Sequence, residues 1–211
     1  TTNILVASGD PGAAGATAFD LRAYAGQEIA TNQGAGEISV KVIHGATDAP
    51  AVDVYESQVL QQVIVPNLSF GQDAGYLDVP AIDFDFQIRP AGNLAVVAQY
   101  DGNLTGLDDS AIVVLASGYL SPAPGEPAFG LIAVFQDGTV ISLPSSAVSP
   151  ARVQVVHNCA ATDAAVVDVW LDNTVLSDDL DFRSTTAFVD APAGVPFDVS
   201  VAGPASVDTT G

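Results

Sequence analysis

Apolar and polar residues alternate in short runs along most of this 211-residue chain. Phe19, Leu21 and Ala23 fall on one side of an extended segment, with Asp20, Arg22 and Tyr24 on the other. Val40 and Val42 oppose Ser39 and Lys41, and Phe84, Phe86 and Ile88 oppose Asp85, Gln87 and Arg89. A period of two is the strand period, because successive side chains of extended backbone point to opposite faces. Further runs rich in Val, Ile, Phe or Tyr lie at 4–7, 76–79, 95–100, 112–116 and 129–135, and Asp137-Gly138 marks a hairpin turn before Val140. Gly, Pro, Asp and Asn bound these runs, and no window carries a helical period. The pattern predicts an all-β chain of antiparallel sheets packed as Ig-like β-sandwiches.

The sequence Val40-Lys41-Val42-Ile43-His44, followed by Thr47-Asp48-Ala49-Pro50-Ala51-Val52-Asp53-Val54-Tyr55, returns as Val153-Gln154-Val155-Val156-His157 followed by Thr162-Asp163-Ala164-Ala165-Val166-Val167-Asp168-Val169-Trp170. A spacing of about 110 residues marks a repeated domain rather than a solenoid. A second match places the repeat boundaries. Ile4-Leu5-Val6-Ala7-Ser8-Gly9 resembles Val113-Val114-Leu115-Ala116-Ser117-Gly118, and Ala18-Phe19-Asp20-Leu21-Arg22-Ala23 resembles Ala128-Phe129-Gly130-Leu131-Ile132-Ala133. Residues 1–37 therefore read as the back half of a repeat unit, 38–148 as a whole unit and 149–211 as the front half of a second. The two tandem units are cut out of phase with the repeat. A front half alone leaves a sheet edge and an apolar face uncovered. Three arrangements would cover it: the chain is an excerpt of a longer array, 1–37 completes 149–211 of the next molecule, or it completes its own. The expected interface on 1–37 is Ile4, Val6, Phe19, Leu21 and Ala23.

Composition narrows the partners. The formal net charge is −20, from 25 acidic residues against 5 basic ones, and Lys41 is the only lysine. Nucleic-acid binding needs basic patches and is excluded. Such a chain suits a saline exterior, where salt screens self-repulsion, or serves solubility alone. No apolar run is long enough to span a membrane. The chain opens on Thr1 with no signal-peptide pattern and reads as a mature or excised segment. Cys159 is the only cysteine, so no internal disulfide forms; a small core residue or an intermolecular bridge are its two readings.

The signature at 40–55, with Gly75-Tyr76-Leu77-Asp78-Val79-Pro80-Ala81 and Ile88-Arg89-Pro90-Ala91-Gly92, resembles the extracellular prokaryotic domain-of-unknown-function family 4397. The resemblance covers 38–148. It implies Ig-like sandwiches in tandem on secreted or surface proteins and no established activity. The second copy departs from it: Ala165 stands for the Pro, Trp170 for the Tyr and Ala202 for the Arg, and Asn158-Cys159 is inserted.

Candidate chemistry is sparse. His44, Asp48 and Asp53 recur as His157, Asp163 and Asp168, a set that could serve a metal or acid–base chemistry. Each unit holds one His, with no Cys partner and no Gly-x-Ser-x-Gly nucleophile. The set reads instead as a structural turn network, in which the His bonds the backbone of the following turn and Asp48 caps that turn. Asp83, Asp85, Asp178, Asp179 and Asp181 are the Ca²⁺ candidates, although neither cluster follows the twelve-residue calcium-loop pattern. Tyr55 beside Asp53, and Trp170 beside Asp168, are the candidate glycan contacts. Asn67 and Asn103 head N-x-Ser/Thr tripeptides and are candidate glycosylation sites. No cofactor and no enzymatic activity are expected. The reading is a structural subunit of an extracellular filament or surface assembly, polymerising head to tail with copies of itself. The alternative is a surface adhesin stalk or carbohydrate-binding module that does not polymerise.

Overall fold

The computed structural model describes residues 2–26, 34–148, 150–172, 174–191, 197–204 and 206–207. Residues 27–33 of the segment 1–37, and residue 149, lie outside the described residues. The chain is all-β, and its antiparallel sheets divide into two compact units, Thr1–Ala147 and Val148–Gly211. No helix of the described residues is long and apolar enough to cross a membrane.

The first unit opens with a two-stranded hairpin, β1 (Thr2–Ser8) and β2 (Asp20–Gly26). After it come β3 (Glu37–His44), β4 (Val52–Glu56), β5 (Gln62–Leu68), β6 (Asp73–Pro80), β7 (Asp83–Pro90), β8 (Ala98–Asn103), β9 (Ala111–Ser117), β10 (Gly130–Val134), β11 (Val140–Ser142) and β12 (Ser145–Ser146). They form two five-stranded sheets, ordered β11-β10-β9-β3-β6 and β12-β8-β7-β4-β5. Alternation decides what lies between them. Val54 and Ile88 from one sheet meet Ala116 and Leu131 from the other, and Ile38, Phe84, Leu104 and Ile112 fill the adjoining layer. Each of the Val, Ile, Leu and Phe side chains contributes about 1.5–3 kcal/mol by leaving water. A cavity of about 200 Å³ remains inside, lined by apolar side chains that include Val40, Val42, Phe86 and Val114.

The sheets differ from the expected pattern in one pairing. β3 and β9 run parallel, with Ser39 opposite Ala111 and His44 opposite Ala116. A parallel pair needs a long crossover, and β4 to β8 supply it. β8 starts at Ala98, later than the run at 95–100 suggests. β5 carries Pro66 and lies at a sheet edge, where a missing N–H costs no ladder bond.

The second unit contains β13 (Ala151–Val153), β14 (Val166–Leu171), β15 (Thr174–Asp181), β16 (Val189–Ala191) and β17 (Val199–Ala202). β13 pairs β16, and the three-stranded sheet is ordered β15-β14-β17. These strands repeat β3 to β7 in register. Val54 faces Ile88 where Val169 faces Val201, and Ser39 faces Asp78 where Arg152 faces Asp190. In the first unit β3 is flanked by β6 and β9; among the described residues β13 has β16 alone. Among the described residues, too, the second unit has no counterpart of β9 and β10.

Candidate functional site

The hairpin β1–β2 is a structural duplicate of β9–β10. Ser8 pairs with Asp20, Ala7 with Leu21 and Leu5 with Ala23; Ser117 pairs with Gly130, Ala116 with Leu131 and Val114 with Ala133. Even the loops agree. Asp10 bridges Ala18 as Tyr119 bridges Ala128. Gly9 and Gly118 both have positive φ, +104° and +82°, and a Cβ on either would stand 2.3 Å from a carbonyl oxygen, of Ala18 or of Ala128. Only glycine fits so close a backbone approach.

The two hairpins differ in what covers them. In β9–β10 the face carrying Val114, Ala116, Leu131 and Ala133 lines the sandwich interior, and Leu131 is 5% exposed. The same face of β1–β2 carries Leu5, Ala7, Leu21 and Ala23, with Phe19 where the core has Phe129. It lies open, Leu5 at 62%, Phe19 at 58% and Leu21 at 60%. The opposite face packs on the first unit: Ile4, Val6 and Tyr24 lie against Ile43, Val113, Leu115 and Val134 on the outside of the β9–β3 sheet. Tyr24 Oη donates to the Gly71 carbonyl at 3.1 Å, and the Arg22 guanidinium sits 5.0 Å from the Phe70 ring centroid. Arg22 also donates to Ser8 Oγ and to the Ala16 carbonyl. The five residues expected to form one interface thus divide: Ile4 and Val6 face the chain's own sheet, and Phe19, Leu21 and Ala23 face outward.

The second unit exposes positions that the first unit buries. Val201 corresponds to Ile88; Ile88 is 4% exposed and Val201 61%. Val199, in the place of Phe86, is 49% exposed. Val167, Val169 and Leu180 are buried by one another and their neighbours.

The repeated His–Asp set is a turn network in both units. His44 Nε2 lies 3.1 Å from the Pro50 carbonyl and His157 Nε2 lies 2.8 Å from that of Ala164. Each ring sits edge-on to an aromatic ring, Phe70 or Phe182. The residue after that aromatic has positive φ in each, Gly71 at 77° and Arg183 at 62°, and donates its N–H to the His carbonyl. Burial pushes the His44 imidazole below its ordinary pKa, against the pull of the Pro50 carbonyl. Asp53 accepts from the N–H groups of Asn67 and Gly92; Asp168 accepts from those of Asp179 and Ser206. Asp48 does not cap its own turn. It reaches across to the N–H groups of Leu120 and Ser121, both at 2.8 Å, and so pins the loop of β9–β10. Its counterpart Asp163 lies within a short 3₁₀ turn, Thr162–Ala164, and meets the Thr162 hydroxyl.

The remaining candidates are placed as follows. Trp170 is 7% exposed and its Nε1 donates to Ser206 Oγ; Tyr55 stacks 3.7 Å from the Arg89 guanidinium. Both rings make protein contacts, and Ala202 stands opposite Asp168 where Arg89 stands opposite Asp53. Asp83 accepts from the Thr105 hydroxyl, while Asp85 faces Asp101 across β7–β8. Burial and the Asp101 carboxylate raise the Asp85 pKa. In the second unit Asp168, rather than Asp181, gathers with Asp178 and Asp179, their oxygens within 4.8 Å of one another. Asp178 and Asp179 are exposed, and Asp168 is buried and accepts from backbone N–H groups. Asn67 and Asn103 are both exposed. Cys159 is exposed, not a core residue.

One acidic group has no motif to announce it. Glu56 is fully buried, and its carboxylate accepts from the N–H groups of Gln58, Val59, Leu60 and Gln61. Burial alone would raise its pKa; the four N–H groups more than offset this and hold it below the usual glutamate range. The single lysine is also buried. Lys41 donates to Asp73 at 2.8 Å and lies 4.8 Å from the Tyr76 ring centroid.

Residues 38–134 match the family described as Domain of unknown function (DUF4397). A search of curated proteins found no match to the chain. The matched segment begins in β3 and ends with β10, so the family domain includes the hairpin that β1–β2 duplicates. Through residues 38–134, fewer than half of its positions, the chain is similar to the DUF4397 family.

Proposed function

We propose that this chain is a structural subunit of an extracellular filament or surface assembly, in which β1–β2 of one copy completes the second unit of the next. The observation that carries this is the exposure of Leu21, 60% against 5% for Leu131 at the same position of the duplicate hairpin. The hairpin is folded, in register and apolar on the face that a sandwich interior would take. The second unit presents the strands that such a hairpin covers. Donated in the register of β9, β1 would run parallel to β13, with Leu5 beside Val155 as Val114 lies beside Val42. Leu5, Phe19, Leu21 and Ala23 would then face Val199 and Val201.

The magnitudes favour a contact made of both side chains and backbone. Burying the exposed parts of Leu5, Phe19 and Leu21 yields on the order of 3–5 kcal/mol. Association costs about 4–15 kcal/mol. Strand pairing along β13 and cover for Val199 and Val201 supply the surplus. A head-to-tail contact that does not close on itself gives a fibre. The acidic, lysine-poor composition fits an assembly held by burial in a salty exterior, where repulsion between subunits is screened.

The test is negative-stain electron microscopy with light scattering in molar salt, on the wild type and on the double variant Leu5→Asp/Leu21→Asp. Both positions are exposed in the single chain, so the variant keeps its fold. Long unbranched fibres from the wild type and monomers from the variant are expected. Wild-type monomers, or variant fibres indistinguishable from wild type, would overturn the proposal.

A further inference from the structure

The central strand of the first unit buries its outer side better than its inner side. Along β3 the outward Ser39, Lys41 and Ile43 are buried, whereas the inward Val40 and Val42 are only half-buried. Phe86 of β7 and Val114 of β9, also inward, are half-buried too. All four border the cavity of about 200 Å³ between the sheets. It follows β3 from Val40 to His44, roughly 13 Å of strand. Ile141, 47% exposed, lines it as well and places its opening beside β11, a three-residue strand at the sheet edge. An apolar cavity of about 150 Å³ takes up benzene, whereas a water molecule needs about two to four polar partners.

The lining also selects the charge of a ligand. Among the described residues no Lys or Arg lines the cavity, so a carboxylate or phosphate would enter unpaired. Asp101 borders it, but Asp101 follows the inward Tyr100 and lies opposite Asp85, so alternation turns its carboxyl to the outer face. His44 supplies one polar atom. Its Nε2 faces the Pro50 carbonyl, which can only accept, so Nε2 carries the ring proton and Nδ1 is an acceptor. That Nδ1 is buried with no hydrogen-bond partner. The matching atom of the second unit has one: His157 Nδ1 accepts from the Cys159 N–H at 3.4 Å. A buried acceptor left unpaired is costly, and a donor on a ligand would remove that cost. We propose that the first unit binds a neutral long-chain alcohol, with its alkyl chain between the two sheets and its hydroxyl donating to His44 Nδ1. Val40, Val42, Phe86 and Val114 would then lose their remaining contact with water. The site lies within one copy and does not depend on complementation.

The experiment uses the full chain at low salt, labelled with nitrogen-15 at histidine. His44 and His157 are its two histidines, so the second is an internal control. Adding 1-decanol is expected to shift the His44 Nδ1 resonance, to leave that of His157 in place, and to displace the neutral dye N-phenyl-1-naphthylamine. Decanoate should displace the dye several-fold less well. Val114→Phe and Ala133→Leu each fill the space and should cut dye uptake several-fold while the chain keeps a cooperative melt. If one substitution unfolds the chain, the other and the wild-type readings decide. A His44 resonance unmoved by 1-decanol, or decanoate displacing the dye as well as the alcohol does, overturns the choice of ligand. Dye uptake that is absent from the wild type, or undiminished in the folded variants, overturns the site.

Discussion

Leu131 and Leu21 occupy one position of one hairpin that occurs twice in the chain, and they differ in exposure by more than tenfold, 5% against 60%. The strands around them pair in the same register and close through the same glycine, so local structure does not explain the difference. What differs is the layer opposite. β9–β10 faces β4, β7 and β8; among the described residues of its own unit, β1–β2 has nothing on that side. The hairpin thus holds its shape without its core, anchored through its outer face by Tyr24 and Arg22. A preformed element of this kind loses little conformational freedom on docking, which is the advantage of preorganisation.

The largest expected effect separates the two leucines directly. Leu131→Asp places a charge in the sandwich interior and should cost more than about 4 kcal/mol, enough to unfold the first unit. Leu21→Asp should shift the stability of the unassembled chain by less than about 0.5 kcal/mol, because the side chain already faces water. Urea denaturation of both variants at low salt is the measurement. A large loss in Leu21→Asp would mean that this face is covered within the single chain, and the contrast would collapse.

A smaller effect tests whether the two loops are equivalent. Alanine at Gly118 would set its Cβ 2.3 Å from the Ala128 oxygen, and alanine at Gly9 would meet the Ala18 oxygen at the same distance. Each backbone must yield, at roughly 1–3 kcal/mol. Gly118→Ala should lower the melting temperature of the first unit. Gly9→Ala should leave that transition in place and loosen only β1–β2, seen as faster hydrogen exchange at Phe19 and Leu21. Equal effects on the main transition would show that the hairpin and the sandwich melt as one body.

Much of this is legible in the sequence, because the repeat preserves side-chain character position by position. Leu21 matches Leu131 and Ala23 matches Ala133, so the duplicated hairpin is visible in the residues alone. Two things are not legible. Period-two alternation assigns faces within a strand but says nothing across the loop between β1 and β2. Ile4 and Val6 therefore group by character with Phe19, Leu21 and Ala23, whereas the Leu5–Ala23 pairing puts them on opposite faces. Long-range polar bonds are hidden too. Asp48 reads as the cap of its own turn, and nothing local points to Leu120 and Ser121. Pro66 conceals β5 because only an edge tolerates it, and the aspartates of β15 conceal a strand behind an apparent ligand cluster. Trp170 reads as a surface ring because the Ser206 hydroxyl that its Nε1 reaches lies 36 residues away.

The remaining effects concern pH and distinguish the units by one position: Glu56 ends β4, and Leu171 stands in its place in β14. The Glu56 pKa is held down in the fold by four N–H groups. Its stabilisation is therefore complete above the ordinary glutamate range and disappears as pH falls through the lower folded value. Removing the charge with Glu56→Gln should cost about 1–3 kcal/mol at neutral pH and abolish this part of the acid sensitivity. Asp85 acts in the opposite sense. Burial and the Asp101 carboxylate raise its pKa, so its contribution is full below the ordinary aspartate range and is lost as pH rises through the folded value. Asp85→Asn removes that penalty and should make the first unit slightly more stable at neutral pH, with no gain in acid. Thermal melts of wild type, Glu56→Gln and Asp85→Asn across the acid range check both signs. A Glu56→Gln variant that keeps the wild-type acid profile would mean that the glutamate is not held as a carboxylate by its loop.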